Sequence, residues 1–230
     1  MTASQQGLYW WQLHLQHNSS AVTNMFCGQF RSTVTCSICG DKTFCFDPFY
    51  DLSVPIPSVA ACRKRLGATL KRRKNSDADC SLFDCLRSFV QSEVLQYENA
   101  RFCERCNGRH ECTKLLTIEK LPLNLIIHLA RFDNSGKKKN TKVSFPLEDF
   151  NLDMFMSPDA KNDVRYRLYS ICQHEGSVNS GHYVSSCLDE SNGFWYQYDD
   201  SEVSQIHSTN TTVLSPSRSC YLLFYRRDDR

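Results

Sequence analysis

Two pairs of cysteines stand at metal-ligand spacing, Cys36-x2-Cys39 and Cys103-x2-Cys106, each followed closely by a glycine, Gly40 and Gly108. A CxxC turn presents two sulfurs from one knuckle, and a second knuckle completes the tetrahedral thiolate shell that zinc takes in structural sites. Four protein ligands leave no open position, so the chemistry expected of this set is structural rather than catalytic. One CxxC alone could be a thioredoxin-like redox pair. Two together favour zinc over that reading and over four unrelated thiols. The pairs lie much further apart than in a compact zinc ribbon, so the intervening chain must leave the site and return.

A second constellation lies in the C-terminal half. The stretch YRLYSICQHEGSVNSGHYVSSC, residues 166–187, has two strand-like ends around a Gly/Ser/Asn loop, and His182 directly follows Gly181. Trp195-Tyr196-Gln197-Tyr198-Asp199-Asp200 comes soon after. A hairpin can place Asp199 beside His182. A carboxylate there fixes the imidazole tautomer and supports its charged form, and such an imidazole activates a thiol. Gly181 leaves space for a close substrate backbone. On spacing alone, His182 remains open between packing and catalysis. His174 opens the same loop and reads as its anchor.

These residues must be positioned by a chain of 230 residues, enough for one substantial domain. An apolar fraction of 41% with 12% aromatics is globular rather than disordered. A net charge of +2 is far below the basic bias of a nucleic-acid binder. No run approaches the roughly 20 apolar residues that span a bilayer, and the N-terminus lacks the pattern of a signal peptide. Thirteen cysteines without an export signal, odd in number and partly in CxxC pairs, point to a reducing compartment, cytosol or nucleus.

Residues 1–8 carry no periodicity. Tyr9 to Phe26 reads as a short helix followed by a turn at Asn18-Ser19-Ser20. Gly28–Thr35 and the Phe44/Phe46 stretch read as strands on either side of the first knuckle. The extended chain then continues through Val54. Ser58–Asp79 is read as a basic loop, with Arg63-Lys64-Arg65 and Lys71-Arg72-Arg73-Lys74; solvated loop and nuclear-import signal are its two readings. Ser81 fits an N-cap before the helical spacing of Leu82, Phe83, Leu86 and Phe89. Leu123–Leu129 fits a buried central strand. Leu115–Ile118, Val143–Leu147, Tyr166–Cys172, His182–Cys187, Trp195–Tyr198 and Cys220–Tyr225 are further strands, making the second half mainly antiparallel.

Together these pieces resemble the ubiquitin-specific protease family of deubiquitinases, from about Trp10 to Arg226. The resemblance rests on FCGQFRSTVTCSICG, FDPFYDLSVPIP, SLFDCLRSFVQSE, FCERCNGRHECTKLLTIEKLPLNLIIHLARF, YSICQHEGSVNSGHYVSSC, WYQYDDSEV and CYLLFYRR. It implies an α+β fold with a cysteine-peptidase-like palm sheet and zinc-tipped antiparallel fingers. It implies fingers at about 28–116, palm at about 117–227, a divergent N-terminus at 1–9, and the basic loop at 58–79. By the same resemblance His182 is the catalytic histidine and Asp199 its orienting acid. Asp200 is a second, assisting acid, and His174, Gly176 and Gly181 belong to the loop bordering the ubiquitin-tail cleft. Structural Zn2+ on Cys36, Cys39, Cys103 and Cys106 is implied, with ubiquitin or a ubiquitinated protein as partner and neither nucleic acid nor membrane.

Three departures from the family pattern stand out. Ala130 replaces a usual lysine, and Cys220 replaces a usual small residue. The Gly/Asn-rich box carrying the nucleophilic cysteine on a helical thumb has no counterpart in these residues. The resemblance therefore implies a partial catalytic domain, inactive alone and able to bind ubiquitin. The alternative is an active deubiquitinase in a longer form or with a nucleophile supplied in trans.

Overall fold

The first helix starts where the sequence shows no pattern. Thr2 Oγ1 accepts from the Gln5 amide at 3.3 Å, and Gln5 Oε1 accepts from the Thr2 amide at 2.8 Å. This capping box satisfies two otherwise orphaned donors, and α1 (Ala3–Asn18) follows from it. Ser20 caps α2 (Ala21–Phe26). The computed structural model describes residues 1–66, 79–207 and 215–228.

The chain continues as β1 (Gly28–Cys36), β2 (Lys42–Phe49), β3 (Leu52–Pro55) and α3 (Val59–Leu66). The expected basic loop is thus helical at its start, while residues 67–78, with the second basic run, lie outside the described residues. Its basic run hid the helix, whose apolar row of Val59, Cys62 and Leu66 is too short to announce it. Next come β4 (Cys80–Ser81) and α4 (Leu82–Phe89), joined by a second reciprocal cap. The Ser81 amide donates to Asp84 Oδ2 at 3.0 Å, and the Asp84 amide donates to Ser81 Oγ at 3.2 Å. Then follow β5 (Glu93–Leu95), β6 (Arg101–Cys103), β7 (Gly108–His110), β8 (Cys112–Lys120) and β9 (Asn124–Ala130). The last elements are β10 (Val143–Ser144), β11 (Phe150–Asn151), β12 (Arg165–Gly176), β13 (Gly181–Asp189), β14 (Phe194–Asp199), β15 (Glu202–Ile206) and β16 (Cys220–Asp228). The strand expected over 143–147 shrinks to two residues because its partner, β4, is equally short.

These elements form two compact units. The first comprises Met1–Tyr50, Phe89–Leu123 and Leu152–Asp163. Its sheet runs β2-β1-β8-β5, antiparallel throughout, with β6–β7 as a separate hairpin. Buried Arg31 on β1 donates to Ser157 Oγ at 2.7 Å and pairs with Glu119 at 3.0 Å and with Asp159. One guanidinium thereby ties the 152–163 segment to the sheet, a use suited to its five donors in a fixed fork.

The second unit comprises Asp51–Ser88, Asn124–Asn151 and Val164–Arg230. Its sheet runs β15-β14-β13-β12-β16-β9-β3, with β11 also on β12. Only β3 on β9 is parallel within it. Leu125, Ile127, Leu129, Leu168, Ile171, Leu223 and Tyr225 are buried in its core, which agrees with the interior strand expected over 123–129. Arg131, immediately after β9, is fully buried and donates to four backbone carbonyls. These belong to Cys220 at 2.5 Å and to Lys139, Thr141 and Ser217 at 3.0 Å. Among the described residues no helix is long and apolar enough to cross a membrane.

Arg131→Ala removes the common donor of four carbonyls and opens a void in the core. It is expected to destabilise the second unit by about 3 kcal/mol or more, measured by urea unfolding. Arg131→Lys should recover little, since an ammonium cannot reach carbonyls in the fork geometry; stability near wild type for either variant would show the carbonyls to be satisfied otherwise.

Candidate functional site

A strand alternates its side chains between two faces, so pairing register decides which residues meet. In the β13–β14 ladder Ser185 faces Tyr198 and Ser186 faces Gln197. His182 and Asp199 therefore fall on one face as diagonal neighbours. His182 Nε2 lies 2.5 Å from Asp199 Oδ1, and the two side chains are 50% and 43% exposed. The Asp199 hydrogen bond and its charge hold the His182 pKa above its ordinary value, with Asp200 and Glu175 adding to the effect. Asp200 sits in the turn between β14 and β15 with φ of +48°, a left-handed conformation that Asp tolerates better than most residues. A carboxylate oxygen of Asp200 lies in the same cluster as His182 and Asp199, all within 4.8 Å of one another.

The loop expected over 176–181 is the β12–β13 turn, with Gly176 paired to Gly181 and the Ser177 amide donating to Ser180 O at 2.8 Å. Gly176 has φ of +101°, which only glycine adopts readily. A Cβ on Gly181 would lie 2.1 Å from His174 Nε2 and 2.6 Å from Glu175 O. The glycine before His182 is thus set by the ring of His174, a reason beyond the substrate access read from the sequence. His174 is 4% exposed and lies among Phe132, Tyr183 and Tyr221, with ring centroids 5.6, 4.6 and 5.9 Å away. Burial lowers its pKa, and the Lys138 cation lowers it further. The loop also has a clamp that the sequence did not reveal. Lys138 Nζ donates to His174 O at 2.6 Å and to Gly176 O at 3.2 Å. Lys138 belongs to a three-lysine turn, and nothing in that run distinguishes the clamping residue from its solvated neighbours.

The four CxxC sulfurs also converge. Cys36 and Cys103 end β1 and β6, so each knuckle is the turn of a hairpin, β1–β2 or β6–β7. Cys36 Sγ lies 4.0 Å from Cys106 Sγ, and Cys39 Sγ lies 3.6 Å from Cys103 Sγ. All four fall within 4.8 Å of one another. Metal–sulfur bonds of about 2.3 Å at tetrahedral angles set sulfur atoms roughly 3.8 Å apart, so the cluster could hold a metal ion. In the first knuckle Gly40 has the left-handed conformation, at φ of +70°; in the second it is Asn107, at +51°, rather than Gly108. The backbone amides of Cys39 and Ile38 draw the Cys36 thiol down to about 7. The Cys39 thiol, with burial, pushes Cys106 up to about 12. The neighbouring thiols that raise Cys106 are a crowding that a bound cation would relieve.

With this geometry established, the chain's kinship follows. Residues 1–225 match the family model described as ubiquitin carboxyl-terminal hydrolase, and the chain belongs to that family, the ubiquitin-specific proteases. Among its relatives, ubiquitin carboxyl-terminal hydrolase Usp2 of Drosophila melanogaster is 36% identical over 94% of this chain and 21% of its own length. Ubiquitin carboxyl-terminal hydrolase 2 of Gallus gallus is 35% identical over 94% of this chain and 55% of its own. Among solved structures, the SAGA Ubp8/Sgf11/Sus1/Sgf73 DUB module bound to ubiquitin aldehyde matches with a TM-score of 0.72 and 28% identity. That match covers 98% of this chain and 47% of the solved one. The chain thus spans about half or less of the length of these proteins.

Two histidines in adjacent strands should titrate in opposite directions. His182 is expected to titrate above the ordinary value of about 6.5 and His174 below it, followed by imidazole proton shifts in NMR. Asp199→Asn should bring His182 down while leaving His174 in place. An unchanged His182 titration in that variant would remove Asp199 as its electrostatic partner.

Proposed function

We propose that this chain is the fingers-and-palm portion of a thiol-dependent ubiquitin hydrolase, supplying the general base and its orienting acid to a nucleophile from outside these 230 residues. The observation that carries this reading is the His182–Asp199 hydrogen bond of 2.5 Å on an exposed sheet face, beside a glycine-bounded loop. Family membership supports it. With Nε2 engaged by Asp199, Nδ1 is the nitrogen left to take a thiol proton. The thiolate adds to the carbonyl carbon at ubiquitin's C-terminal glycine. His182, now imidazolium, gives its proton to the departing amine, leaving a thioester. Water, deprotonated by the same imidazole, then releases ubiquitin and restores the thiol. Asp199 holds the tautomer and stabilises the imidazolium, and Asp200 adds a second negative charge.

The cysteines inside the chain are poor candidates for the nucleophile. None of the thirteen, all within the described residues, forms a disulfide. Burial raises the thiols of Cys27, Cys45 and Cys172 and takes Cys220 to about 12, which suppresses the reactive thiolate. Cys187 Sγ is held 3.1 Å from Ser170 Oγ. The loop carrying His174, Gly176 and Gly181 borders the channel for ubiquitin's tail in this reading. Four thiolates at Cys36, Cys39, Cys103 and Cys106 hold structural Zn2+, since soft ligands in a closed tetrahedral set select that ion. The cytosol or nucleus, which keeps thiols reduced, is the matching location.

Incubation with ubiquitin bearing a C-terminal electrophile is expected to give no adduct, while free ubiquitin binds measurably in a titration. An adduct sensitive to Asp199→Ala, mapped to a cysteine of this chain, would overturn the assignment of the nucleophile to another segment. No binding at all would overturn the ubiquitin-recognition role.

Removal of zinc by a strong chelator is expected to expose the β1–β2 and β6–β7 turns to protease before the second unit unfolds. Unchanged cleavage and tryptophan emission would exclude a structural metal there.

A further inference from the structure

A third group of metal-binding residue types lies in the second unit and has no part in the reading above. Cys62 on α3, Cys80 on β4 and Asp84 on α4 place two sulfurs and a carboxylate oxygen within 4.8 Å of one another. They are 1%, 4% and 4% exposed. Fully buried Cys85 lies nearby, its Sγ 3.9 Å from that of Cys80. Burying a carboxylate beside two thiols is costly unless charge or hydrogen bonding compensates. Asp84 has partial compensation: Ser81 donates its amide and hydroxyl to Oδ2, at 3.0 and 2.6 Å, and Arg87 approaches Oδ1 at 3.3 Å. Hydrogen bonds of this kind orient a ligating carboxylate from behind.

We propose that Cys62, Cys80 and Asp84 form a second site for a soft divalent cation such as Zn2+, separate from the four-cysteine cluster. The donor chemistry favours this over an oxidised pair. A disulfide uses two sulfurs and gives the carboxylate no role, whereas a divalent ion uses all three groups. Two thiolates and a carboxylate carry three negative charges. A divalent ion and the adjacent, partly exposed Arg87 guanidinium carry three positive ones, so the set is neutral when a water molecule fills the fourth position. Arg87, whose side chain is 45% exposed, yields the Oδ1 lone pair it faces. The fourth position goes to Cys85 or to a water molecule. The ion joins α3 to the β4–α4 junction. It would stabilise that fold by restricting the unfolded chain, as other cross-links do.

The test is a Co2+ titration of the metal-free, reduced chain, read by thiolate-to-metal charge-transfer absorption and visible d–d bands. Two equivalents are expected. Cys62→Ser and Cys80→Ser should each lose one of them, and Cys36→Ser with Cys39→Ser should lose the other. Asp84→Asn, which keeps an oxygen for the Ser81 cap, should weaken the second equivalent while far-UV circular dichroism stays unchanged. Cys85→Ser decides the fourth ligand, lowering the charge-transfer intensity of the second equivalent only if that sulfur binds. A single equivalent in the wild-type chain overturns the proposal. So does a second equivalent that survives both Cys62→Ser and Cys80→Ser, or an intact mass showing Cys62 and Cys80 joined by loss of two hydrogens under metal-replete, non-reducing conditions.

Discussion

The arrangement around His182 depends on one buried guanidinium. Arg131 follows the last residue of β9 and gathers the carbonyls of Lys139 and Thr141 with those of Ser217 and Cys220. It thereby fixes the 132–141 turn against the start of β16. Lys138, held in that turn, donates to His174 O and Gly176 O. The β12–β13 turn is anchored at the same point by the His174 amide, which donates to Ser219 O at 2.8 Å. Remove the guanidinium, and the site loop loses the support beneath its support. An uncharged donor could not replace it, because few side chains reach four carbonyls from one buried position.

The two histidines show how similar residues are separated by environment. His174 is enclosed by rings and faces an ammonium, so its neutral form is favoured. His182, eight positions later, is half exposed and surrounded by Asp199, Asp200 and Glu175, so its charged form is favoured. Gly181 stands between them because the His174 ring occupies the space any larger residue would need. One buried neutral ring therefore sets the backbone that delivers the titrating ring.

What was legible in the sequence was whatever obeyed a short repeat. Period-two alternation gave the β12, β13, β14 and β16 strands and hence the approach of Asp199 to His182. CxxC spacing gave both knuckles of the four-sulfur cluster. The Ser81 N-cap and the helical spacing after it announced α4. Arg131 was not legible, since a buried arginine is indistinguishable in sequence from a solvated one. Helix α3 carries only a narrow apolar row, Val59, Cys62 and Leu66, among basic residues, and no strand was expected at β15. The Cys62, Cys80 and Asp84 group escaped because its members are widely spaced and of two chemical types, so only the fold brings them together.

The separation of the two knuckles has a consequence for synthesis. Cys39 and Cys103 are 64 residues apart in the chain, yet their sulfurs end 3.6 Å from each other. A ribosome adding about 5–20 residues per second delivers the first pair roughly 3–13 s before the second. Through that interval Cys36 and Cys39 are an incomplete pair on a nascent chain, open to oxidants and to stray metals. The His182–Asp199 pair, spaced 17 residues apart, waits about a quarter as long, roughly 1–3 s at the same rate. The chain's most exposed thiols during translation are thus those of the first knuckle, well over a hundred residues before His182.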